Sequence, residues 1–357
     1  MAFNNISNST TTDFTNQVTD FIMDQKVLDV DNDSGETFHY FDEAQTDMGY
    51  YTNDPIVFSA ANGLATWAFK QGWTSENPKT IAEFEHFTGR GNDTFSQLMW
   101  NHEVIKLVVG DAFMEIVKNK EGNIIINLIP ISPERVKVVS KKGRIKRYEV
   151  WNGSKWKTIN VRNMYHTSNK RIGDQVHGTS QITAIRKSID ARQEAEEDER
   201  VIKHRDKALG IVYYKTNNAG KIAYANTQIE NAVKNGEMVG MPDDTGKIEP
   251  YPSKSSEDRQ NWIQSRENHT YASLGVPRNM ITADGTSEVG GINGHLVFEV
   301  TGGAEASDEE ASIRNQLARR IKFNRPPSLA PNAQENADKN TGQTSIQPQE
   351  ATPSLNR

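Results

Sequence analysis

The chain has 357 residues, 35% of them hydrophobic, no cysteine, and a formal net charge of −6. The missing cysteines exclude disulfides and thiolate metal ligands, and no apolar run reaches the ~20 residues of a membrane-spanning helix. The net acidity argues against a protein that coats duplex DNA, and a mean hydropathy of −0.71 leaves part of the chain outside any packed core. The polar start, MAFNNISNSTTTDF, has no signal-peptide core. A soluble, unsecreted protein is expected, and the N-x-S/T triplets at Asn5, Asn92 and Asn268 are read as coincidental.

Charge is unevenly distributed. Residues 1–60 carry eleven Asp or Glu against Lys26 alone, and residues 134–171 carry twelve Lys or Arg against Glu134 and Glu149. One reading is a solvated acidic arm and a solvated basic sheet face. The other is that the two meet between subunits, or that the basic face meets DNA or an acidic partner. Residues 1–55 are expected to be an arm with one short helix. Pro55 to Trp73 supplies core residues, and Pro78 and Thr80 open a helical stretch through Phe87. Thr94 to Val109 reads as an amphipathic helix with Gly110 at its C-cap.

The period then changes. Ala112–Lys118, Ile124–Ile129, Arg135–Ser140, Ile145–Trp151 and Trp156–Val161 are short β-branched or aromatic runs divided by turn signals. They predict a five-strand meander, with the Asn152-Gly153 pair suited to a type I′ turn.

Thr179 to Lys207 predicts a helix about 43 Å long. Fourteen of its 29 residues are charged. Ile182, Ile185 and Ile189 give its first half an apolar stripe, whereas Glu194-Ala-Glu-Glu-Asp-Glu199 has almost none to bury. An exposed helix held by i,i+4 ion pairs is the plain alternative. Residues 208–252 predict a compact α/β insert: strands at Leu209–Lys215, Met238–Met241 and Ile248–Tyr251, and a helix near Thr227–Asn235. A second helix runs from Ser255 or Ser256 to Leu274 and stops at Gly275-Val-Pro277. A glycine-rich loop, Ala283 to Gly294, follows, then a helix within Glu305–Phe323 and a tail rich in proline and polar residues from Asn324.

Enzyme motifs fail. His102-Glu103 begins like a zinc-protease helix, but Lys106 stands where the second histidine belongs. Gly89-Arg-Gly-Asn-Asp-Thr94 lacks the lysine of a phosphate loop, and Gly178-Thr-Ser180 has Ile182 where a nucleophile elbow needs glycine. The eight histidines show no i,i+3 or i,i+4 pair. His166 is expected to be structural rather than a base or ligand. Trp151, Trp156 and Trp262 are expected to be core or subunit contacts rather than base-stacking platforms. No catalytic residue, metal site or cofactor is expected.

With these elements in order, the chain resembles the portal proteins of tailed bacteriophages over about Gly110 to Phe298. Gly110-Asp-Ala-Phe-Met-Glu-Ile, with Asn127-Leu-Ile-Pro-Ile-Ser-Pro-Glu-Arg-Val136, is similar to that family's strand pair and "L-x-P-L-x-P-x-x-V" segment. Val161-Arg-Asn-Met-Tyr-His166 and His177-Gly-Thr-Ser-Gln-Ile182 resemble its "hydrophobic-His … Y-G-x-S-P-L" passage, with His177 for tyrosine and Gln181 for proline. Leu274-Gly-Val-Pro277 is similar to its "G-V-P" element.

The resemblance implies an α+β, portal-like fold: an α/β wing (56–178), a two-helix stem (179–207 and 255–277), a small α/β clip (208–254), a tunnel loop (278–294) and a reduced helical crown (295–323). It implies a ring of about twelve copies at one capsid vertex, in the virion and, during assembly, in the host cytoplasm. The implied partners are double-stranded DNA, the terminase large subunit, a head-tail adaptor, and the major capsid and scaffolding proteins, with no membrane. Implied tunnel-loop residues are Thr282, Asp284, Gly285, Thr286, Ser287, Glu288, Gly290, Gly291 and Asn293, and channel-facing stem candidates are Glu194, Glu196, Glu197 and Glu199. Acidic stem residues would repel phosphates and keep DNA contacts transient. The competing readings are another phage head or connector structural protein, with different symmetry or no ring, and a hydrolase whose site carries no recognised motif.

Overall fold

The computed structural model describes residues 30–31, 35–205, 211–235, 246–249, 256–281 and 288–327. Four helices come early: α1 (Ala44–Asn53), α2 (Pro55–Phe69), α3 (Pro78–Glu85) and α4 (Phe95–Val109). α2 begins where Asp54 accepts from the N–H groups of Ile56 and Val57, with Pro55 at its first position, where a missing donor costs nothing. α4 opens with a reciprocal capping box between Thr94 and Gln97. It stops at Gly110, as the sequence predicts, with φ at +99° in the left-handed region that glycine tolerates.

Burial explains why these helices pack together. Val57, Ala60, Leu64, Ala65 and Ala68 line one side of α2 and meet Leu98, Met99, Leu107 and Val108 of α4 in one core. Each fully buried leucine or methionine contributes about 1.5–3 kcal/mol. A third helix, α8 (Glu288–Leu317), adds Phe298, Ala306, Ile313 and Leu317 to that core. α8 crosses α2 at Gly302, where an added Cβ would lie 2.4 Å from the Trp67 ring. Only glycine leaves room for that ring against α8.

The predicted meander is in fact two antiparallel sheets. β4 (Asp111–Lys118), β5 (Ile125–Ile131) and β9 (Met164–Ser168) form one in the order β5-β4-β9. β1 (Val30–Asp31), β2 (Glu36–His39), β6 (Val136–Lys141), β7 (Arg144–Trp151) and β8 (Trp156–Asn160) form the other, ordered β1-β2-β6-β7-β8. The break falls at a 3-10 turn, Pro133–Arg135, where proline has no N–H to continue the ladder. A second 3-10 turn, Val161–Asn163, capped by Asn160, returns the chain to β4 as β9, a strand the sequence pattern did not reveal.

The turn chemistry is also redistributed. Asn152 accepts from Ser154 N and Lys155 N through its side chain, so β7 and β8 are joined by a four-residue side-chain-closed loop rather than the predicted type I′ turn. The two consecutive positive φ angles occur instead at Lys142 (53°) and Gly143 (72°), between β6 and β7.

The expected short helix near the N-terminus is present as α1, joined by strands β1 and β2. The acidic residues described there do not wait for a neighbour. Glu36 pairs with Lys146 and Arg147, which hold its carboxyl well below the ordinary range. Arg186 bridges Glu43 and Asp47.

Farther along lie α5 (Gln181–Arg205), β10 (Ile211–Tyr214), α6 (Ala219–Asn235), β11 (Gly246–Glu249) and α7 (Ser256–Leu274). β10 and β11 pair antiparallel; the strand predicted at Met238–Met241 lies outside the described residues. The late helix is longer than the predicted Glu305–Phe323 at its front and shorter at its end. β12 (Lys322–Phe323) turns away to pair with β3 (Trp73–Thr74), and Phe323 packs edge-on against Phe69.

Candidate functional site

α5 and α7 lie side by side and antiparallel, with Arg259 near the start of α7 meeting Glu199 near the end of α5 at 2.7 Å. The buried positions of α5 are Ile182, Ile185, Ile189, Arg192 and Glu199. Their spacings of three, four, three and seven continue one stripe along the helix. The stripe that looked exhausted after Ile189 is therefore carried on by charged residues, each buried with an opposite charge. Arg192 donates to Asp54, the cap of α2, and Gln193 reaches the same carboxylate at 3.3 Å. Sequence reading missed this because it scored only apolar residues as stripe members. The i,i+4 spacing of Arg192 and Glu196, which pair at 3.4 Å, was the available signal.

The four acidic candidates on α5 separate into two kinds. Glu194, Glu196 and Glu197 are exposed, and Glu197 holds Arg200 along the helix surface. Glu199 is turned against α7, where Arg259 and then Lys203 lower its pKa. Its charge is engaged by these two cations rather than free on the outer surface. A groove of about 650 Å³ opens between the two helices, lined by Glu196, Glu199, Lys203, Ile263, Glu267 and Arg278. Trp262 is 43% exposed beside Arg266, whose guanidinium lies 5.3 Å from its ring. It is not a core residue, and neither are Trp151 and Trp156, at 36% and 40% exposure.

Of the glycine-rich run, Thr282, Asp284, Gly285, Thr286 and Ser287 lie outside the described residues. Glu288, Gly290, Gly291 and Asn293 fall in the first turns of α8, not in a loop. The sequence pattern misled because each helical glycine costs about 1 kcal/mol relative to alanine. Burial of Phe298, Ala306 and Ile313 farther along the same helix offsets that cost.

The root of α5 is fixed by one buried carboxylate. Asp111, at the start of β4, accepts from His166 Nε2 at 2.8 Å, His177 Nδ1 at 3.2 Å and Gly178 N at 2.9 Å, and also from Ser168. Burial opposes its charge, but the hydrogen bonds from His166 and His177 win and hold the carboxyl well below its usual range. Since Asp111 can only accept, His166 presents its Nε2–H to it, and the Tyr148 hydroxyl donates to Nδ1 at 3.0 Å. Both ring nitrogens are thus engaged, as expected for a structural histidine. Beside this hub Asn169 N donates to Gly110 O at 2.7 Å and Thr179 N to Asn169 O at 2.8 Å. A Cβ at Gly178 would meet Gly110 O at 2.2 Å. The Gly178-Thr-Ser passage and the Gly110-Asp pair are therefore two sides of one joint that fixes the direction in which α5 leaves the sheets.

A second buried cluster ties α4 to α8. Lys106 meets Glu103 at 2.7 Å, Glu305 at 2.9 Å and Glu309 at 3.8 Å, and Tyr165 donates to Glu309 at 2.6 Å. Burial pushes the Glu103 carboxyl up to about 8 against the pull of Lys106, with Glu305 and Glu309 adding repulsion. Glu103 is the acid that the failed zinc-protease motif singled out. Here it and His102 are buried parts of a helix contact.

Comparison with known proteins follows the same elements. Residues 90–293, more than half of the chain, match the family model described as phage portal protein. Among solved structures, the chain is similar to one from the neck of a native gene transfer agent particle computed with C12 symmetry. The identity is 14% and the TM-score 0.68, over 85% of this chain and 89% of that one. A chain from the virion of the native gene transfer agent particle gives 14% identity and a TM-score of 0.64, over 87% and 91%. An HK97 family phage portal protein from Corynebacterium diphtheriae gives 16% identity and a TM-score of 0.50, over 83% and 96%. At these identities the likeness shows a shared fold. No curated protein matches the chain.

Proposed function

The chain belongs to the phage portal protein family, and from that membership we propose that it forms a ring at the capsid vertex through which double-stranded DNA is packaged and released. It serves there as a structural connector rather than an enzyme, docking the terminase large subunit on one side and a head-tail adaptor on the other, with major capsid and scaffolding proteins around it. The observation that carries this reading is the antiparallel pair of α5 and α7, hung from the sheets by the Asp111 joint and lying inside the matched span. The pair is too charged to be a domain core, yet its internal charges are matched, which suits a helix pair standing beside copies of itself. The neck structure computed with C12 symmetry supports a ring of twelve.

In this reading α5 and α7 form the stem, the β10–α6–β11 segment forms the clip, and residues 282–293 approach the tunnel. Glu194, Glu196 and Glu197 keep a negative surface that repels phosphates, so the duplex slides instead of settling at fixed cations. Replacing all three with lysine will impair DNA passage in a packaging assay while rings still assemble. Unchanged packaging by intact mutant rings would remove these residues from the channel.

A further inference from the structure

The two sheets treat their edges differently. In the three-stranded sheet the β5 edge is covered by Glu83, which accepts from Ile125 N, and by Arg90, which donates to Pro130 O. The β9 edge is closed by Gln316, which accepts from His166 N at 2.9 Å and donates to His166 O at 2.7 Å. The outward edge of β8 in the five-stranded sheet has no such cover: among the described residues nothing hydrogen-bonds it. An open edge is a template for another chain unless something blocks it.

The surroundings of that edge favour an acidic, partly apolar segment. Trp151 and Trp156 form a cross-strand pair, 5.5 Å between ring centroids. Lys137 sits 4.2 Å over the Trp156 ring, and Arg135 holds the backbone Trp151 O at 2.7 Å, so the Trp156 indole is held from below and the Trp151 indole leans on it, both remaining exposed. Rigid exposed tryptophans are what binding hot spots are made of. Lys155 and Arg162 flank the strand, exposed and without an ion-pair partner among the described residues.

We propose that residues 1–29 of a neighbouring copy dock along this β8 edge. That segment carries Asp13, Asp20, Asp24 and Asp29 against Lys26 alone, and Asp20 and Asp24 bracket Phe21-Ile-Met23. Its charge complements Lys155 and Arg162, and its apolar residues suit the tryptophan pair. The acids that follow it, Glu36, Glu43, Asp47 and Asp54, already have partners in their own chain. In sequence the segment directly precedes β1, which lies at the edge opposite β8, about 19 Å away across four strand spacings. A ring needs two different patches on opposite sides of each subunit, and the opposite edges of one sheet meet that need. The inference rests on the ring reading.

Because the chain has no cysteine, the contact can be tested without background. Thr158→Cys, outward on β8, is combined in the full chain with Asp13→Cys, Asp20→Cys or Asp24→Cys and treated with a bismaleimide reagent. The same preparations are imaged for rings. At least one pair is expected to give a ladder of covalent multimers that neither single cysteine gives. Lys155→Glu with Arg162→Glu is expected to lower its yield roughly tenfold, with loss at high salt. Rings without a ladder, or with crosslinks only inside one chain, would overturn the docking proposal and leave the ring reading intact. An absence of rings would overturn both.

Discussion

The body of the molecule and its projecting helix pair use charge in opposite ways. In the body, buried carboxylates have partners close by: Asp111 has His166 and His177, Asp54 has Arg192, and Glu309 shares Lys106 with the half-buried Glu305. On the outer half of α5, Glu194, Glu196 and Glu197 are exposed to solvent. Buried pairs are costly to break because the remaining charge has no water to turn to. Exposed pairs contribute little to stability, so their charges are free to serve a ligand or a neighbour. The same residue types thus fix the joint at one end of α5 and shape a surface at the other.

Mutations at the two ends should separate accordingly. Asp111→Ala strands His166, His177 and the Gly178 N–H in a buried site, and a loss of about 3–5 kcal/mol is expected in denaturant unfolding. A loss below ~1 kcal/mol would mean that the hub does not anchor α5.

Glu103→Gln tests the α4–α8 cluster through pH. The folded carboxyl keeps its proton up to about 8, whereas the ordinary value is 4.5. Between those values the folded state binds more protons than the unfolded one, so this group's contribution is full below the lower value and is lost as pH rises through the upper. The wild-type Tm is expected to fall more steeply than that of Glu103→Gln between pH 5 and 8; parallel profiles would contradict this. The smallest effect belongs to the helix pair's outer surface. Arg200→Ala, which releases the exposed Glu197, should leave the monomer's Tm unchanged within error.

Much of this architecture was legible in the chain. The helix predicted over Thr94–Val109, its Gly110 stop and the Ser256–Leu274 helix follow from local chemistry that needs no tertiary partner. What was hidden depended on contacts distant in sequence. The split of the meander arises because β9 returns to β4, and the continuation of the α5 stripe is visible only once Asp54 and Arg259 are in place. The glycine-bearing start of α8 likewise owes its helicity to packing farther along. For the candidate site, the exposure of Glu194, Glu196 and Glu197 and the burial of Glu199 were not legible, since nothing local distinguishes Glu199 from Glu197.

In the proposed ring, copies of this chain stand around a hole with their α5–α7 pairs side by side. Imaging the purified full-length protein by electron microscopy, with its mass measured by light scattering, tests this directly. Closed rings of about twelve copies with an open centre and a narrow projecting stem are expected. A stable monomer, or an assembly with no central opening, would contradict it.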